Sequence, residues 1–178
     1  MKRPPEVLTH GPVTLRRWRA ADTATVTDLV LRSQPHLRPW LAWAQDYGPQ
    51  DAAQFTEQCE QDWNSGAAFS YAITSGGTAV GGCGLMARIG PGGLEIGYWV
   101  DAAYLRQGFA TAATAALVGA AFALPGVDRV EIVHDEANVA SSGVPRKLGF
   151  AEVERRPNAD GPHTPGESGT DIVWRMTR

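Results

Sequence analysis

The feature that most constrains this chain is the stretch from Leu94 to Phe150. It reads strand (Leu94 to Val100), then a turn containing Arg106-Gln107-Gly108-Phe109-Ala110-Thr111, then an alanine-rich helix closed by Pro125-Gly126. A second strand follows (Val130 to Val133), and then Asn138, Ser141 and Lys147-Leu148-Gly149-Phe150. A strand–helix–strand unit of this kind pairs its strands in parallel through a right-handed crossover. The many small residues of the helix let it sit close to a sheet. The turn before it suits a phosphate, because Gly108 lets backbone N–H groups approach an anion and the helix N-terminus adds positive potential.

The flanking segments extend this into a mixed α and β domain. Val13 to Trp18 alternates as a strand, and Ala20 to Arg32 reads as a helix with Val26, Leu29 and Val30 as its apolar stripe. Gln34 to Trp40 holds two prolines and is expected not to continue that helix. Asp51 to Trp63 is a second helix, ending near Asn64-Ser65-Gly66. Ala68 to Ile73 and Ala79 to Met86 form a hairpin across Ser75-Gly76-Gly77. Pro157 to Gly169 is a loop, expected to be mobile, and Asp171 to Met176 is a last strand. The 178 residues are expected to form one domain.

Composition excludes several classes. The net charge is −3, with no basic run, which argues against a nucleic-acid surface. No apolar run is long enough to span a bilayer. Met1-Lys2-Arg3-Pro4-Pro5 leads on without an apolar segment, so no signal peptide is expected and a cytoplasmic location is the default. Cys59 and Cys83 lack metal-ligand spacing and read as small buried residues. Gly82 to Ala87 fits a dinucleotide fingerprint on paper, but Gly90-Pro91-Gly92-Gly93 stands where its helix must begin. His134-Asp135-Glu136 has no partner at ligand spacing and reads as a solvated strand end, and no metal is expected.

The order of elements resembles the acyl-CoA-dependent N-acyltransferases of the GNAT superfamily. Within it the chain looks most like the RimJ/RimL-like branch, which acetylates N-termini of ribosomal proteins. Three segments carry the likeness: His36-Leu37-Arg38-Pro39-Trp40-Leu41, Glu95-Ile96-Gly97-Tyr98-Trp99-Val100, and Asn138-x-x-Ser141 with Lys147-Leu148-Gly149-Phe150. The resemblance implies an α+β fold: a mostly antiparallel mixed sheet of six to seven strands, splayed between the fourth and fifth, with about four helices. It implies acetyl-CoA as cofactor, its pantetheine arm paired with backbone groups of Trp99 and Val100 in the gap. Arg106, Gln107, Gly108, Phe109, Ala110 and Thr111 would cup the pyrophosphate. Asn138 would contact the cofactor, and Arg146 or Lys147 the remaining phosphate. Two departures stand out. The family's turn usually has Gln or Arg where this chain has Leu105, and often Gly where it has Arg106. Gly143 and Pro145 interrupt the helix after Asn138, which is therefore expected to start late or kink.

The chemistry implied is direct attack of an amine on a thioester. Val100 N–H is the candidate oxyanion donor, Glu95 the candidate base, and Ser141 the hydrogen-bond donor to the departing sulfur. An α-amine suits a weak base, since roughly a quarter is neutral at cellular pH against about one lysine in a thousand. This agrees with the acceptor that the resemblance implies, a protein or peptide N-terminus. The acids Asp46, Asp51, Glu57, Glu60 and Asp62 keep open a small-molecule amine such as an aminoglycoside or polyamine. The altered turn keeps open a non-catalytic acyl-CoA sensor. Self-association is common among similar enzymes, so a homodimer is open too, although no residue here argues for it.

Overall fold

A computed structural model describes residues 2–158, 161 and 163–178. In chain order the elements are β1 (Val7–His10), β2 (Val13–Arg17), α1 (Thr23–Leu37), α2 (Pro49–Ser65), β3 (Ala68–Ser75) and β4 (Thr78–Met86). Then follow β5 (Gly93–Val100), α3 (Phe109–Phe122), β6 (Arg129–Asp135), α4 (Val139–Leu148), β7 (Ala151–Pro157) and β8 (Thr170–Thr177). The strands of the described residues form one sheet in the order β1-β2-β3-β4-β5-β6-β8-β7. Among the described residues only β5 and β6 pair in parallel. This is the expected mixed fold with two strands more than the six read from the sequence. The additions are β1 and β7, so the expected fourth and fifth strands are β5 and β6.

The splay is visible in the register. β5 pairs with β6 only from Gly93↔Arg129 to Glu95↔Glu131, although β5 runs on to Val100 and β6 to Asp135. The closed end is pinned: Asp128 and Arg129 N–H groups both donate to Gly92 O, and the Arg129 guanidinium bonds Pro91 O and Ile89 O. Beyond that clamp β6 stays with β8 along its whole length, while β5 stays with β4. The two halves of the sheet therefore part.

Helices α3 and α4 cover one face, where Leu15, Tyr71, Ile73, Leu85, Ile96, Leu117, Val130 and Ile132 are buried together. Ala112, Ala113, Ala120 and Ala121 are the buried positions that bring α3 down onto the sheet. The other face is covered by α1 and α2, with a smaller cluster of Trp18, Val26, Leu29, Val30, Ala52, Cys59 and Ala72. Both cysteines are free and buried, and burial pushes the Cys59 thiol up to about 12. No described helix is long and apolar enough to cross a membrane.

Two helix expectations are corrected. α1 does not stop before Gln34 but runs through Pro35 to Leu37. Pro35 lies in its last turns, where one missing N–H is tolerable, and Arg38 N–H to Gln34 O (2.9 Å) keeps the end closed. α4 does not start late: it begins directly after Asn138 and continues through Pro145 to Leu148.

Candidate active site

The site grows from the free edge of β5. Asp101 N–H donates to Val80 O at 2.8 Å, and the β4–β5 register pairs Gly82 with Trp99. Alternation along an antiparallel ladder then turns the backbone of Trp99 toward β4, and those of Tyr98 and Val100 toward the gap. Val100 thus turns its N–H and C=O toward the gap. Trp99 does not: it contributes its ring. A Cβ on Gly82 would fall 2.9 Å from the Trp99 Nε1, so this glycine makes room for the indole. The ring lies 5.9 Å from Trp43, which in turn lies 5.8 Å from Tyr47.

At the open end of β5, Asp101 is buried and holds the strand to α1. Arg32 Nε donates to Asp101 Oδ2 at 2.6 Å and Arg32 Nη2 to Ala79 O at 3.0 Å. The chain then turns through Arg106, which has φ +61°, and Gly108, with φ +78°, into α3. The first intrahelical bond in this turn is Ala112 N–H to Gly108 O at 2.9 Å. The N–H groups of Phe109, Ala110 and Thr111 precede it and point out of the helix end. The expected Gly at position 106 has a physical reason, since φ there is positive. Arg106, Gly108, Phe109, Ala110 and Thr111 line the cavity described below, and Gln107 does not. The Phe109 side chain is buried against Tyr104, at 6.3 Å between ring centroids, which leaves its amide for the turn.

α4 supplies the opposite wall. Asn138 is its N-cap, accepting from Ser141 N–H at 3.3 Å through Oδ1. Asn138, Ser141 and Lys147 all line the cavity. Arg146 lies elsewhere, over the Trp174 ring at 5.4 Å, so Lys147 is the cation available to a phosphate on this wall. Pro145 has no N–H to offer the carbonyl four residues back, and that carbonyl, Ser141 O, accepts from the Tyr98 hydroxyl at 2.9 Å.

Glu95 sits where the splay begins. Arg88 engages both of its carboxylate oxygens: Nε donates to Oε2 at 2.9 Å, and Nη2 to Oε1. A proton landing on either oxygen would have to displace a guanidinium N–H. The sequence reading missed this clamp, and it missed Asp171, which also lines the cavity. Burial is the largest influence on the Asp171 carboxyl and raises it above the usual range. Arg156 opposes that, and Asp135, Glu167 and Glu95 add to it.

The strand end at His134-Asp135 is not solvated, contrary to expectation. Trp174 Nε1–H donates to His134 Nε2 at 2.9 Å, so the ring proton is on Nδ1 and bonds Asp135 O at 2.8 Å. Burial leads the lowering of the His134 pKa. Asp135 is buried and accepts N–H bonds from Ala137, Ser168 and Gly169, each at 2.9 Å. No group of His, Cys, Asp and Glu among the described residues could hold a metal. Part of the loop before β8 is tied down as well: Thr164 Oγ1 and Gly166 N–H both donate to Pro39 O. Within that loop, Ala159, Asp160 and Pro162 lie outside the described residues, and His163 does not line the cavity.

These pieces enclose one continuous cavity of about 1580 Å³. It runs from Arg106, Gly108 and Lys147, past Val100 and Ser141, through the splay to Trp43, Asp51 and Glu57 on the α1/α2 side. One end offers amides and cations to an anion. The other offers aromatic rings and carboxylates to an amine.

Residues 13–151 match the family model described as acetyltransferase (GNAT) domain. YdaF of Bacillus subtilis (strain 168), whose assigned name is that of a ribosomal N-acetyltransferase, is 29% identical over 145 residues, covering 79% of this chain and 78% of that protein. The fold is shared with solved structures. RimL, a ribosomal L7/L12 α-N-protein acetyltransferase in complex with coenzyme A, superposes with a TM-score of 0.88 at 21% identity, over 97% of this chain and 98% of that one. Mycobacterium smegmatis RimJ, in complex with a CoA disulfide, gives 0.87 at 22% identity, over 99% and 90%.

Proposed function

The chain belongs to the GNAT acetyltransferase family, and from that premise we propose that it transfers an acetyl group from acetyl-CoA to the α-amine of a protein or peptide N-terminus by direct attack. The RimJ/RimL-like branch is where its relatives lie. The observation that carries the reading is the free edge of β5: Val100 faces the splay, and the N-terminus of α3 stands at the end of the same cavity.

In this reading the pantetheine arm takes the place of a strand beside Tyr98 and Val100. The amides from Gly108 to Thr111, with Arg106, take the pyrophosphate. Lys147 takes the remaining phosphate. The thioester carbonyl then lies against Val100 N–H, which stabilises the developing oxyanion by a factor of roughly 10²–10³. Ser141 Oγ donates to the departing sulfur. Glu95, at the start of the splay, faces the incoming amine. The C–N bond forms as the C–S bond breaks, one proton leaves nitrogen, and one arrives at sulfur.

A small-molecule amine is the second reading, favoured by Asp51 and Glu57 on the cavity wall beside Trp43 and Tyr47. Thiol release from acetyl-CoA, measured over a panel of peptides with free or blocked N-termini and of polyamines and aminoglycosides, separates the two. The expected result is release with free N-termini and none with blocked ones. Release confined to polyamines or aminoglycosides would move the assignment to the second reading, and none with any amine would leave a binding protein.

A further inference from the structure

Strand alternation places four carboxylates on the sheet face that carries Trp99: Glu95, Glu131, Asp135 and Asp171. Three of them accept hydrogen bonds from named donors. Arg88 holds both oxygens of Glu95. Arg175 Nε donates to Glu131 at 2.7 Å. Asp135 accepts from Ala137, Ser168 and Gly169. The carboxylate of Asp171 makes no hydrogen bond or ion pair among the described residues. Arg156, its register partner on β7, directs its guanidinium to Glu154 at 3.3 Å instead. Asp171 nonetheless faces the same cavity as Glu95, Gly97 and Trp99.

We infer that Asp171 accepts the proton that the attacking amine must shed, and that Glu95, clamped by Arg88, is a fixed charge that draws the amine in. The inference rests on the acetyl-transfer reading above. The amine nitrogen bonds to the thioester carbon, its proton passes to Asp171, directly or through water, and Asp171 returns it to solvent. The thiolate, hydrogen-bonded by Ser141, takes its own proton from solvent. The groups facing Asp171 are consistent with this. Asp135 on β6, Glu95 on β5 and Glu167 in the loop are acids that favour its protonated form, and Arg156 on β7 opposes them. A carboxylate without hydrogen-bond donors, among other acids, holds a proton more readily than one in water.

The test is the rate of thiol release from acetyl-CoA with a free-N-terminus peptide, from pH 6 to 9, for the full chain and for Asp171→Asn. Loss of a general base costs typically about 10²–10⁴-fold. The expected deficit is of that size at pH 6.5 and shrinks toward pH 9, because hydroxide then takes the proton of the attacking nitrogen in place of the missing carboxylate. Glu95→Gln should chiefly raise the KM for the peptide. Coenzyme A binding by calorimetry should be unchanged in Asp171→Asn and shows that the variant is folded. If it is not, Asp171→Ser is measured in the same way. Wild-type turnover together with full activity in the variant, or a deficit that is the same at every pH, overturns the inference alone. No turnover by the wild type with any amine overturns the acetyl-transfer reading and takes the inference with it.

Discussion

The Tyr98 hydroxyl donates to the backbone carbonyl of Ser141 at 2.9 Å, joining the free edge of β5 to the first turns of α4. Pro145 makes the bond available by leaving that carbonyl without its helical N–H partner. The proline that looks like a defect in α4 is thereby used to fasten the two walls of the cavity. Burial raises the pKa of the Tyr98 hydroxyl, which keeps it a donor at physiological pH. Tyr98→Phe should lower stability by about 0.5–1.5 kcal/mol in urea titration, the usual contribution of one hydrogen bond. It should also slow turnover, because Ser141 loses its anchor.

Arg32→Ala should cost more. Its partner Asp101 has a side chain only 4% exposed, and removing the guanidinium leaves that carboxylate with Ala103 N–H alone. The expected loss is about 1–3 kcal/mol in urea titration. Arg32→Lys should recover only part of it, since one ammonium on a shorter fork cannot repeat both the Asp101 and the Ala79 contacts.

Arg106 adopts φ +61°, a conformation that a side chain opposes. Arg106→Gly relieves that strain but frees the unfolded chain. The expected net gain is roughly half a kcal/mol, read as a small rise in Tm. If the guanidinium meets the pyrophosphate, the same variant binds coenzyme A several-fold more weakly.

Asp135 sets part of the acid limit. Burial acts to raise its carboxyl, but the N–H donors of Ser168, Ala137 and Gly169 outweigh it and hold the pKa below 3.8. A folded pKa below the unfolded one means that the contribution is complete above about pH 4 and is lost as pH falls through the folded value. Asp22, held by Arg16, acts in the same direction. The wild-type urea midpoint should fall as pH drops below about 4, and Asp135→Asn should start lower and fall less.

How far the chain could be read in advance follows from how local each signal is. The Ser75-Gly76-Gly77 hairpin, the alanine face of α3 and the Glu95-to-Val100 strand carry their reasons within a few residues. β1 is four residues long and follows Pro4-Pro5, too short for alternation to register. β7 is exposed along its whole length, so its charged run shows no buried face. Asp171 became visible only through its register with Asp135 on β6. The Arg88 clamp on Glu95 depends on how β4 and β5 meet. The backbone direction of Trp99 depends on which edge of β5 is paired, and sequence spacing does not specify that.

The most direct test of the account is a calorimetric titration of coenzyme A into the full chain and into Gly108→Val. Position 108 has φ +78°, so a β-branched residue there must move the amides that open α3. One site per chain, at least tenfold weaker in the variant, is the predicted result. Absence of heat with the wild type, or equal affinity in the two proteins, would contradict a cofactor seated in the splay against that turn.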